Sequence, residues 1–148
     1  MLKKFSTGAL MVAGLAMLTV VGTAGAANAA SRSGSCTASG MIADAAIHYT
    51  TNTVSGKTTL DRFTWTIYGE SGSTKNNVKA TLMRDVSLST DTAHYTWSTE
   101  SAKNGYGSHT PSSTVSVPSS WKLYGKFKFI FDRNNLPDPN CNLETSRS

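Results

Sequence analysis

The chain has 148 residues, 14 Lys+Arg against 9 Asp+Glu, a formal net charge of +5 and two cysteines. That length makes one domain with one modest core the default. The basic excess is spread from Arg32 to Arg147 with no run of neighbouring cations, which argues for solubility and against a nucleic-acid partner.

Lys3 and Lys4, an apolar stretch of about 14 residues from Ala9 to Gly22, and the small-residue segment AGAANAA have the three-part layout of an export leader. The A-x-A site at Ala27-Asn28-Ala29 predicts cleavage after Ala29, and the apolar stretch is shorter than the roughly 20 residues of a spanning helix. The Ala/Gly-rich leader suits a bacterial Sec substrate. No cysteine sits at the cleavage point to be lipidated, and the Leu-Pro of Asn135–Asn140 is followed by no hydrophobic tail. The expectation is a leader over residues 1–29 and a single secreted, extracellular β-domain over residues 30–148, with no membrane span. Without Lys3 and Lys4 the domain keeps 12 basic residues against 9 acidic ones, a net +3.

In an oxidising compartment Cys36 and Cys141 are expected to pair, joining the two ends of the domain. Their separation has no metal-ligand spacing.

Period-two alternation recurs between turn-rich stretches. In MIADAAIHYT, Ala45, Ile47 and Tyr49 share one face, while Asp44, Ala46 and His48 share the other. Asn52 and Gly56 mark a turn, after which LDRFTWTIYG sets Phe63, Trp65 and Ile67 on one face, so the two segments form a hairpin. Gly69–Asn77 reads as irregular. NVKATLMRDV then aligns Val78, Ala80 and Leu82, and AHYTWSTE aligns Ala93, Tyr95 and Trp97. Ser101–Ser113 is the longest irregular stretch. Val115 and Val117 before Pro118 make a short edge strand. In the last strand, containing KFKFIF, Leu123, Phe127, Phe129 and Phe131 face inward, and Lys126 and Lys128 face solvent, where they discourage edge pairing. Six to seven strands of this kind predict an all-β fold, a small antiparallel β-sandwich with a barrel as the alternative.

Motifs with local catalytic signatures are missing: there is no G-x-S-x-G, H-E-x-x-H or C-x-x-C. SSWK at Ser119–Lys122 lacks the partner motifs of its S-x-x-K chemistry, and GKT at Gly56–Thr58 lacks the first glycine of a phosphate loop. His48 and His94 on polar strand faces, with Asp44 beside His48, raise a metal or acid/base site if their strands are neighbours. Asp132, Asn134, Asp138 and Asn140 offer oxygen ligands for calcium, in a composition equally suited to a plain turn.

Neither a cofactor nor a resident metal is expected. The function expected is a non-enzymatic interaction module docking on another extracellular protein as an adaptor, inhibitor or subunit of a secreted assembly. The alternative is a glycan-binding protein whose partner is a polysaccharide. Tyr106 and Trp121 are the candidate binding residues, as aromatics outside the core parity. Intact-mass measurement on protein recovered from the medium should place the first residue at Ala30 and find no thiol open to alkylation before reduction. A retained leader or two labelled cysteines contradicts the reading.

Overall fold

The computed structural model describes residues 26–148 and is all-β, with nine strands in two antiparallel sheets. The charged and apolar regions of the expected leader lie outside the described residues. The strands are β1 (Ala27–Ala38), β2 (Met41–Asn52), β3 (Lys57–Tyr68), β4 (Asn76–Asp85), β5 (Thr92–Ala102), β6 (Gly105–His109), β7 (Ser116–Pro118), β8 (Lys122–Ile130) and β9 (Asn140–Glu144). A five-stranded sheet runs β1-β2-β3-β6, with β7 also paired to β3, and a four-stranded sheet runs β5-β4-β8-β9. The two sheets face each other as a sandwich rather than closing into a barrel, because no ladder joins them.

Local chemistry explains the hairpins. Ser39 and Gly40 both have positive φ, 50° and 79°, which suits a two-residue turn whose twist matches the strands it joins. At the β2–β3 turn the Asn52 side chain accepts from the amides of Val54 and Ser55, and Gly56 takes φ 63°, so both expected turn residues act there. One residue, Asp61, is left unpaired where the β2–β3 register slips at His48/Tyr49. This bulge lets Leu60 and Phe63, of opposite parity, both face inward.

The core is built from the expected stripes. Ile47, Phe63, Val78, Ala80, Leu82, Phe127, Phe129 and Phe131 are fully buried. Phe63 of one sheet meets Phe127 of the other edge-to-face at 5.6 Å. The phenylalanines of KFKFIF are therefore core, and Lys126 and Lys128 are exposed. One part of the expectation is corrected: β8 lies between β4 and β9, so its lysines do not guard an edge.

The strand count is corrected from six or seven to nine, by β1, β6 and β9. Each lacks the apolar alternation that announces a half-buried strand. The inward positions of β1 are Arg32, Gly34, Cys36 and Ala38, all only partly buried, and those of β6 are Gly105, Gly107 and His109. The strand β9 contributes only Cys141 and Leu143. Cys36 and Cys141 form a disulfide with Cα atoms 5.9 Å apart, binding the β1 edge of one sheet to the β9 edge of the other. Gly34 is needed beside it, because a Cβ there would lie 2.7 Å from the Glu144 carbonyl oxygen. The bond closes a loop of 105 residues, which in the chain-entropy account stabilises by about 4.7 kcal/mol. Cleavage after Ala29 would shorten β1 to Ala30–Ala38 and leave the disulfide region intact.

Phe129→Ala should lower unfolding free energy by about 3–5 kcal/mol, whereas Lys128→Ala should change it by less than about 0.5 kcal/mol. Denaturant melts of the two variants check this; equal small effects contradict the core assignment.

Candidate functional site on the outer face of the five-stranded sheet

The outward residues of the five-stranded sheet form rows across its strands. Ile42 lies opposite Tyr68; Ser35, Asp44, Thr66 and Tyr106 form the next row; Ser33, Ala46, Thr64 and Ser108 the one after; and Ser31, His48 and Arg62 a fourth. Short side chains in the middle rows leave a shallow depression of about 140 Å³ lined by Ser33, Asp44, Ala46, Thr64, Thr66 and Tyr106. At one end stand three large apolar side chains, Ile42 at 41%, Tyr68 at 56% and Tyr106 at 70% exposure. The other large apolar residues exposed among the described residues, Val54, Leu88 and Leu136, sit singly on turns and loops.

The support beneath this corner is a buried hydrogen-bond network. Asn76 is fully buried, and its amide donates to the Ala102 carbonyl and to Asn104 Oδ1, while its oxygen accepts from the Asp132 amide and the Ser73 hydroxyl. Asn104 also donates to the Glu70 carbonyl at 2.6 Å. The two segments expected to be irregular, Gly69–Asn77 and Ser101–Ser113, are thus brought together and tied beside Tyr68 and Tyr106. The second of them is not wholly irregular, since it contains β6.

The strand β6 carries Tyr106 and Ser108 outward, and its inner side fits the aromatic seam between the sheets. Trp65 stacks on Trp97 at 5.3 Å, and His109 stacks on Trp97 at 4.2 Å with its Nε2 2.9 Å from the Tyr95 hydroxyl. Gly107 faces Trp65 so closely that a Cβ would lie 2.4 Å from the indole. Burial lowers the pKa of His109. Burial and then Arg62 lower that of His48, against a smaller opposing effect of Asp61. The His48 Nε2 is 2.9 Å from Thr64 Oγ1. This hydroxyl sits on an inner strand paired on both sides, where backbone amides are committed to ladders rather than free to form an oxyanion hole.

Trp121 does not share a site with Tyr106. Tyr106 pairs with Thr66, whereas Trp121 follows Pro118, which pairs with Lys57. Nine residues of strand separate those registers, about 30 Å. The Trp121 ring has the Arg84 guanidinium 4.1 Å from its centroid, His94 edge-on at 5.6 Å, and the core behind it. Tyr124, outward on β8, is covered by Arg147 and donates to Asp91 at 2.7 Å, with burial and that bond raising its pKa to about 12.

The condition for a site shared by His48 and His94, neighbouring strands, is not met: they lie in different sheets, on β2 and β5. Among the described residues no group of three His, Cys, Asp or Glu side chains converges. In the candidate calcium loop, Asp138 accepts from the Arg133 amide and Asp132 from the Ser73 hydroxyl. Gly56 and Ser119 lie in turns, not at a phosphate loop or a helix start. Among the described residues no helix is long and apolar enough to cross a membrane. Ile42 was not singled out from the sequence; its signal is a large apolar residue on the polar parity of β2, beside Asp44.

Comparison with family models, with curated proteins and with solved structures found no match.

Because folding lowers the pKa of His109 and His48, the unfolded chain takes up their protons more readily, and stability falls as pH drops below the ordinary imidazole value of 6.5. Melting temperatures across that range should decline on acidification. The decline should be shallower in His109→Phe, which keeps the stack without the titration, with His48 supplying the remainder. An unchanged slope in His109→Phe contradicts the assignment.

Proposed function

We propose that the chain is an exported, non-enzymatic module that docks on another extracellular protein through the Ile42–Tyr68–Tyr106 corner. The observation that carries this reading is the concentration of exposed large apolar side chains on a flat face braced by hydrogen bonds. Tyrosines of this kind bury much area with few rotatable bonds, so they lose little entropy when they become interface anchors. Asp44, Thr64, Thr66 and the serines of β1 form the polar surround. A role as adaptor, inhibitor or subunit asks only for such a face on a stiff scaffold; it asks for no activated nucleophile.

A second reading, glycan binding at the same corner, is favoured by two tyrosines beside a floor of hydroxyl groups and one carboxylate, a set that can stack on a sugar ring and bond its hydroxyls.

The test is capture of the disulfide-bonded protein's partner from culture medium, followed by affinity measurement on purified components. Tyr68→Ala and Tyr106→Ala should each weaken binding about thirtyfold, about 2 kcal/mol, with melting temperature unchanged. Trp121→Ala should leave affinity intact. Retention on an insoluble polysaccharide with no protein partner, lost in the same tyrosine variants, selects the glycan reading. Affinity unchanged in both tyrosine variants removes this face from either.

A further inference from the structure

The outer face of the four-stranded sheet holds a cluster of lysines that strand pairing assembles from distant parts of the chain. Lys79 on β4 stands directly opposite Lys128 on β8, and Lys126 lies two residues along, opposite Thr81. Like charges in opposed positions destabilise a sheet. Lysines are placed on edge strands to prevent unwanted pairing, but that explanation fails here. The edges β5 and β9 contain no lysine, and all three come from the inner strands β4 and β8.

Glu100 lines a neighbouring hollow with Lys79 and Lys128, but no acidic side chain forms an ion pair with the cluster among the described residues. Glu144 on β9 faces Lys126, but its carboxylate lies 3.3 Å from Arg147 Nη2. Glu100 stands on the outward parity of β5, two residues beyond Ser98, which faces Lys79. Among the described residues every ion pair is made by Arg147 and none by a lysine. A hollow of about 180 Å³ is lined by the three lysines, Asn142, Phe127 and Thr81, whose buried hydroxyl accepts from Thr96.

We propose that this face binds an acidic polysaccharide, with sugar carboxylates meeting Lys79, Lys126 and Lys128 and ring hydroxyls meeting the exposed Asn142 amide. Lysine is a mobile point charge rather than a rigid fork, so three of them on an open sheet suit a string of separated carboxylates. Binding of single-stranded nucleic acid relies on aromatic platforms, and the outward aromatic of β8, Tyr124, is only 2% exposed. The exposed Asn142 amide beside lysine stems offers a hydrogen-bonding group next to an apolar surface, which suits the hydroxyls and ring face of a sugar polymer better than an acidic polypeptide. This face is the opposite side of the sandwich from the tyrosine corner, so the two readings stand or fall separately.

The experiment measures binding of the disulfide-bonded protein to soluble polygalacturonate, with dextran, poly-L-glutamate and oligo-dT as competitors. Polygalacturonate should bind, and added salt should weaken the interaction by screening. The double variant Lys79→Gln/Lys128→Gln should bind about tenfold more weakly. Its melting temperature should stay the same or rise, since a repulsion has been removed. Lys79→Arg/Lys128→Arg should keep binding, and decides the matter if the glutamine variant folds poorly. No binding at low salt, binding indifferent to the glutamine changes, loss in the arginine variant, or equal competition by poly-L-glutamate or oligo-dT overturns the proposal.

Discussion

Two sheets laid face to face leave two open flanks, and the Cys36–Cys141 bond closes the one that side chains could not. The inward residues of β1 are an arginine, a glycine, a cysteine and an alanine, and β9 adds one leucine to its cysteine. Such strands bury too little apolar surface to hold a sheet edge against the core by hydrophobic burial alone. The covalent link replaces that missing area, and Gly34 lets the backbones come close enough for it to form. Arg32 then uses its partly buried position to donate to the Tyr49 hydroxyl at 3.1 Å, so even the charged inward residue of β1 finds a partner. The opposite flank is closed by different means, the stack of Trp65, Trp97, His109 and Tyr95.

How legible each part was follows from which physical signal forms it. Strands that bury on one face only write that burial into the sequence at period two, so β2, β3, β4, β5 and β8 were readable, down to the inward parity of Phe127, Phe129 and Phe131. β1, β6 and β9 are held by a disulfide, by glycine-enabled close approach and by aromatic stacking across sheets. None of these leaves an alternating pattern. GYGSH in particular has turn-like composition, and only the neighbouring Trp65 explains why its second glycine belongs in a strand. Tyr106 was visible as an aromatic off the core parity. Its neighbours Ile42 and Tyr68 become a cluster with it only through the β2–β3 and β3–β6 registers. The lysine cluster is the same case: residues 79, 126 and 128 look dispersed until β4 pairs with β8.

Closing the flanks in this way frees both outer faces from structural duty. The core lies between the sheets, the termini of the described domain are tied along the disulfide flank, and the long turns are pinned by buried Asn76 and by Asn104. What remains outside is two chemically distinct surfaces back to back, one with tyrosines over a hydroxyl floor and one with lysines around a shallow hollow. If both proposed faces bind, such a domain would bridge two partners without any moving part, the geometry of the proposed adaptor.

The tyrosine face is nevertheless coupled to the seam beneath it through β6. That strand has five residues, pairs with β3 alone, and depends on His109 stacking inward to keep Tyr106 presented outward. Gly107 is the hinge of this arrangement in a steric sense: any side chain there would displace Trp65, break its stack with Trp97, and lift β6 from the core. The most exposed aromatic of the face therefore rests on its least apolar strand. Its position is set by an imidazole that packs best uncharged, so the same partly buried ring that helps close the flank also governs how firmly the proposed docking surface is held.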